Sequence, residues 1–194
     1  MATSRHEPGA QLDSARLRCL AHPLRSRLLG ALRLGGPATS TTLAQRLDTN
    51  TGATSYHLRR LEEVGLVEEL VDRGTARERW WQAAHGFTSW NETDFESNPT
   101  DQAAVEWLTG HHRQLISSWR DDWLATRHDY STAWREVAGV SDFHLDLTPA
   151  QLKALHDDLL EVLDRYSAVG PSDSHDAQHV VVLIEGFPAR NLRL

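Results

Sequence analysis

The chain has 194 residues, of which 40% are hydrophobic and 24% charged, and its formal net charge is -7. That length holds one large domain or two small ones, and the apolar fraction suffices for real cores despite a mean hydropathy of -0.49. The sequence has no apolar run of membrane-spanning length and no basic-then-apolar signal pattern at its N-terminus, and its single cysteine, Cys19, excludes an internal disulfide, so a cytoplasmic protein without a membrane partner is expected.

Residues 1–10 are expected to be disordered. A first helix over residues 12–21 ends at His22-Pro23, because the residue before a proline disfavours the helical region. Pro23 then opens a second helix as its first residue, with Leu24, Leu28, Leu29 and Leu32 inward, and Gly35-Gly36-Pro37 ends it. Cys19 lies among Leu17, Leu20 and Ala21 and reads as a small buried hydrophobe. Residues 39–47 form a short helix capped by Thr39 or Ser40, and only Asp48-Thr49 separates it from Asn50, the cap of the next helix.

In that next helix, at about 100° per residue, Thr54, Leu58 and Leu61 fall on one side with His57 and Val64 flanking them. Gly52, Ser55, Tyr56 and Arg59 project from the other side, with Arg60 at its edge, and Gly65 stops the helix. Two β-patterned runs, residues 66–71 and 78–82, then bracket a turn, with Arg73, Arg77 and Arg79 on or beside its tip. A capped short helix, a tight turn, a polar-faced helix and an arginine-rich ribbon suit a protein that lays a helix in the major groove and straddles phosphates with a wing. A solvated helix and hairpin of some other small domain would share the arginines but not the preceding capped helix and tight turn.

Residues 91–100 are polar without either periodicity and read as a linker. A long helix follows over residues 101–127, where Trp107, His111, Leu115, Trp119 and Trp123 recur every four residues. Such a stripe fits core packing, a dimer seam or a ligand wall (Trp107, His111, Trp119, Trp123), and aromatic stripes mostly fill interiors. Residues 141–147 alternate like a half-buried strand, Thr148-Pro149-Ala150-Gln151 starts another helix with a capping box, and residues 179–187 read as a second strand. The fold class is therefore mainly α with small β (α+β). It comprises an N-terminal winged helix-turn-helix over residues 10–90, the linker 91–100, and a helix-strand-helix-strand region over 101–194 for dimerisation, with sensing as a further option.

The stretch from Leu20 to Leu29 (LAHPLRSRLL), with TSYHLRRL and Gly65-Leu66-Val67, resembles winged helix-turn-helix transcription regulators of the ArsR type. The resemblance covers residues 12–85 and implies dimeric repressors or activators bound to double-stranded DNA operators. By position it makes Thr51, Gly52, Ser55 and Tyr56 base-proximal, and Arg59, Arg60, Arg73, Arg77 and Arg79 phosphate contacts. The chain departs from the metal sensors of that group. It has no cysteine in the first helix of the motif, and it continues about a hundred residues further, like a longer subgroup from GC-rich genomes.

Charge is unevenly spread: residues 1–90 hold 12 Arg against 9 acidic side chains, and residues 91–194 hold 8 basic against 18 acidic. Electrostatic attraction to a duplex is therefore local to the head, and two heads acting together would strengthen it. There is no Gly-rich phosphate loop, nucleophile elbow or HExxH, so no enzyme is expected. His175 and His179 with Asp173 and Asp176 offer ligand types, while His111 and His112 point about 100° apart on a helix; no metal or other cofactor is expected. The sequence thus reads as a homodimeric DNA-binding regulator of an inverted-repeat operator, with a small-molecule effector at the tryptophan stripe as the alternative.

Overall fold

The computed structural model describes residues 9–73, 79–169 and 177–189. The chain is α+β with helices predominating, and it divides into two units, residues 1–135 and 136–194. The first unit begins at β1 (Ala10–Gln11), which pairs in parallel with β5 (Thr88–Ser89). Ala10 is buried, so the disorder expected for residues 1–10 does not reach it; residues 1–8 lie outside the described residues.

Helix α1 (Ser14–Leu20) is capped by Asp13, which accepts the Arg16 N–H at 2.9 Å. In α2 (Pro23–Gly35) the proline opens the helix, and the cap is His22, whose Nδ1 accepts the Leu24 N–H at 3.2 Å. A single imidazole thus satisfies an otherwise orphaned amide where α1 gives way to α2. Strand β2 (Ala38–Thr39) leads into α3 (Ser40–Arg46), capped by the Thr39 hydroxyl, and α4 (Thr51–Glu62) is capped by Asn50, which accepts the Ala53 N–H at 2.8 Å.

The α3–α4 turn depends on Asp48 at φ 51, in the left-handed region. There the Thr49 N–H reaches the Ala44 carbonyl at 2.9 Å and the Asp48 N–H reaches that of Gln45 at 3.4 Å, closing the helix end as glycine usually does. Aspartate tolerates this conformation better than most residues, and a β-branched side chain tolerates it worse. Asp48→Gly is therefore expected to hold or raise the urea midpoint, whereas Asp48→Val should cost about 1–2 kcal/mol. Chemical denaturation of both variants checks this.

The end of α4 uses the same device with Gly65 at φ 68: the Leu66 N–H donates to the Leu61 carbonyl at 3.0 Å, and both leucines are buried. Arg16 donates from Nε to the Val64 carbonyl at 3.0 Å, placing a cation at the negative end of α4 and tying it to α1. Strands β3 (Val67–Glu69) and β4 (Trp80–Ala83) form the wing as an antiparallel pair, and β2 completes a sheet of order β2-β4-β3. β3 ends sooner than expected, since residues 71–73 turn into a 3-10 helix, and β4 runs one residue beyond its expected end, to Ala83; residues 74–78 lie outside the described residues. Arg33 donates from Nε to the His85 carbonyl at 3.1 Å, fastening α2 to the chain after β4, and burial pushes its guanidinium down to about 10.

The stretch expected as a linker is folded instead. Residues 92–95 make a 3-10 turn, Phe95 is buried in the core, and Asn98 caps α5 (Pro99–Thr126) by accepting the Thr100 N–H at 2.9 Å. One aromatic anchor outweighs a polar composition here, a signal that neither helical nor strand periodicity carries. Asp101, only 3% exposed, accepts from Ser14 Oγ at 2.9 Å and from Arg18 Nε at 2.5 Å. The Arg18 hydrogen bond is the main reason its carboxyl is held below the ordinary range. Ala104, Val105 and Leu108 join the same core as α1, so the start of α5 belongs to the first unit.

Helix α6 (Thr132–Val137) precedes the second unit's α7 (Pro149–Val169). The α7 start carries the expected capping box: Gln151 Oε1 accepts the Thr148 N–H at 2.9 Å, and Thr148 Oγ1 accepts the Gln151 N–H at 3.3 Å. The two strands expected over residues 141–147 and 179–187 are not strands, and Phe143 is 83% exposed. Alternation marks a face fit for burial, but a strand also needs a neighbouring backbone, and among the described residues neither segment has one.

Candidate nucleic-acid interface

Helix α4 is two-faced. Thr54, Leu58 and Leu61 are wholly buried against the core, and the Thr54 hydroxyl is satisfied by the Asn50 carbonyl at 3.0 Å. Its other side leaves Thr51, Gly52, Tyr56, Arg59 and Arg60 exposed and Ser55 half-buried, with the Tyr56 ring 55% accessible. A Cβ on Gly52 would meet only Asn50 Oδ1, at 3.4 Å, so the fold has room for a larger residue there. Packing inside the fold therefore does not require glycine at this exposed position.

The arginines divide by their partners. Arg60 lies 2.6 Å from Glu63 through Nη1, and its guanidinium sits 5.9 Å from the Tyr56 ring centroid. Arg79 on the wing pairs with Glu69 at 3.2 Å. Arg59 and Arg73 are exposed and make no ion pair among the described residues. Arg77, the remaining wing arginine, lies outside the described residues. Hence Arg59 can meet a phosphate without first giving up a carboxylate, whereas Arg60 and Arg79 must exchange one anion for another.

The long-helix stripe is not one surface. Trp107 packs against the core and the His111 ring stacks on it at 4.9 Å, with burial first, then His112, lowering the imidazole's basicity. Trp119 and Trp123 are half-buried further along, with Trp123 at 5.5 Å from the Tyr130 ring. Among the described residues no three His, Cys, Asp or Glu side chains converge as a metal site, and Asp173, His175 and Asp176 lie outside them. No described helix is long and apolar enough to cross a membrane.

Sequence reasoning missed the joint behind α4. The His57 ring packs on His22 at 4.4 Å, Tyr56 meets His57 edge-on at 5.0 Å, and Cys19 Sγ donates to the Arg60 carbonyl at 3.4 Å. The sequence marks His22-Pro23 as a helix boundary, but nothing local in it points from His22 to a ring partner 35 positions away.

Residues 20–69 match the family described as a helix-turn-helix domain, and no curated protein matches the chain. Among solved structures, a possible transcriptional regulator for arsenical resistance is 26% identical, covering 60% of this chain and 97% of that one at a TM-score of 0.32. A mutant MarR from E. coli is 21% identical over 77% of this chain and 88% of its own, at a TM-score of 0.31. A zinc-responsive MarR family member from Lactococcus lactis is 14% identical over 86% and 84%, at a TM-score of 0.28. Helices α3 and α4, joined by the Asp48 turn and followed by β3, have the helix-turn-helix arrangement, and residues 20–69 are similar to that family.

Proposed function

We propose that the protein is a transcription regulator that binds double-stranded DNA sequence-specifically, as a homodimer on an inverted repeat. The observation that carries this reading is the division of α4 into a fully buried face and an exposed face of Thr51, Gly52, Tyr56 and Arg59, within a helix-turn-helix flanked by a wing. In this reading Thr51, Gly52, Ser55 and Tyr56 approach base edges, and Arg59, Arg60, Arg73, Arg77 and Arg79 contact phosphates.

Dimerisation is supported by the second unit, none of whose described residues is buried, while Val140, Phe143, Leu145 and Phe187 stand mostly exposed. Apolar side chains left in water at that density suit an interface with a like chain. Two such heads would read half-sites about one helical turn apart. Sedimentation of the full chain alone and with duplexes selected from the host genome tests the reading. A dimer that binds discrete fragments supports it, and a monomer that retains no duplex at low salt refutes it.

A further inference from the structure

We propose that the His22–His57 stack is a positioning element for the recognition helix, holding α4 against the start of α2 only while both rings are neutral, so that proton uptake weakens DNA binding. This rests on the DNA-binding reading above and adds its regulation.

The geometry leaves little room for a charge. His22 Nδ1 is occupied as acceptor for the Leu24 N–H, so its ring carries its one proton on Nε2. A second proton would have to enter at Nδ1, where it removes the cap of α2 and leaves the Leu24 amide facing another donor. His57 Nδ1 is buried with no hydrogen-bond partner, and a proton there would create a buried donor with nothing to receive it. The rings lie 4.4 Å apart, so a charge on one opposes a charge on the other.

The charged surroundings act in the same direction, and only a backbone hydrogen bond of His22 opposes them, as the smallest influence on that ring. Arg25 on α2 opposes a charge on either ring. Cys19 on α1 and Tyr56 and Arg60 on α4 complete the neighbourhood, and the Glu63 carboxylate is engaged by Arg60. Burial is the leading reason that both imidazoles fall below their ordinary value, followed by Arg25 for His22, and by His22 and then Arg25 for His57. The folded state therefore binds fewer protons than the unfolded chain. The joint's contribution is complete above about pH 6.5 and is lost as pH falls through the lower folded values. Separation of α4 from α2 relieves the repulsion, and Tyr56, in edge contact with His57, shifts with the helix.

The test is the ratio of duplex affinities at about pH 7.5 and about pH 5 within each protein, which removes any loss that a variant suffers at both. His22→Asn keeps a capping acceptor without a titrating ring, and His57→Phe keeps a ring without a proton site. Wild type is expected to lose about tenfold in affinity across that range, and the double variant less than about twofold. Equal ratios in both proteins overturn the proposal. If wild type retains no duplex at either pH, the DNA-binding reading falls, and the free protein decides the stack. Loss of α2 and α4 amide protection as the two rings titrate supports it, and titration with unchanged protection overturns it.

Discussion

Trp81→Ala is expected to cost about 3–5 kcal/mol of stability. The indole is 1% exposed, and its strand β4 is the middle of the three-stranded sheet, with Ala38 opposite on one side and Glu69 on the other. Removing the ring leaves a cavity where the segment before α3 meets the wing, so the helix-turn-helix and the ribbon lose their common support. Trp81 Nε1 has no hydrogen-bond partner in its buried position. Trp81→Phe therefore removes an unsatisfied donor along with some volume, and is expected to stay within about 2 kcal/mol of wild type. Urea unfolding of both variants separates the two effects; equal losses would show that the indole nitrogen, not the ring volume, matters.

Arg59→Ala is expected to weaken duplex binding by about 1–3 kcal/mol, with little change in folding stability. Arg59 is exposed on the outer side of α4 and makes no ion pair among the described residues, so its loss exposes no buried acid. Arg60→Ala should cost less, because Arg60 already spends its charge on Glu63 at 2.6 Å. The converse variant is more telling. Glu63→Gln frees Arg60 and removes a negative charge from the same helix, so affinity should rise and the salt dependence should steepen by about one counterion. Fluorescence anisotropy across a salt series measures both slopes. An Arg59→Ala slope equal to wild type, with equal affinity for matched and scrambled duplexes, would remove Arg59 from the interface.

The first unit was legible because its signals are local. Asn50 and Gly65 bound α4 as a cap and a left-handed stop, Pro23 opens α2, and the 3.6-residue period separates Thr54, Leu58 and Leu61 from Tyr56 and Arg59. What escaped depends on contacts distant in sequence. Phe95 anchors a polar stretch into the core, Asp101 joins α5 to Ser14 and Arg18, and His57 finds His22, none of which a periodic pattern encodes. The alternation of residues 141–147 reads as a half-buried strand, and no strand forms there. It could not supply the neighbouring strand that would bury Phe143 and Leu145. Helical periodicity placed Tyr56 and Arg59 on the exposed side of α4, but the Glu63 and Glu69 pairings that distinguish Arg60 and Arg79 from Arg59 emerge only in three dimensions.

The account stands on the outer face of α4 being the surface that meets DNA. The most direct measurement titrates genome-selected duplexes with wild type and with the triple variant Ser55→Ala, Tyr56→Ala, Arg59→Ala, after confirming that both unfold at the same urea concentration. Wild type should retain discrete fragments in a salt-sensitive manner while the folded triple variant retains none. Retention by the triple variant at wild-type affinity, or no retention by wild type even at low salt, would contradict the account.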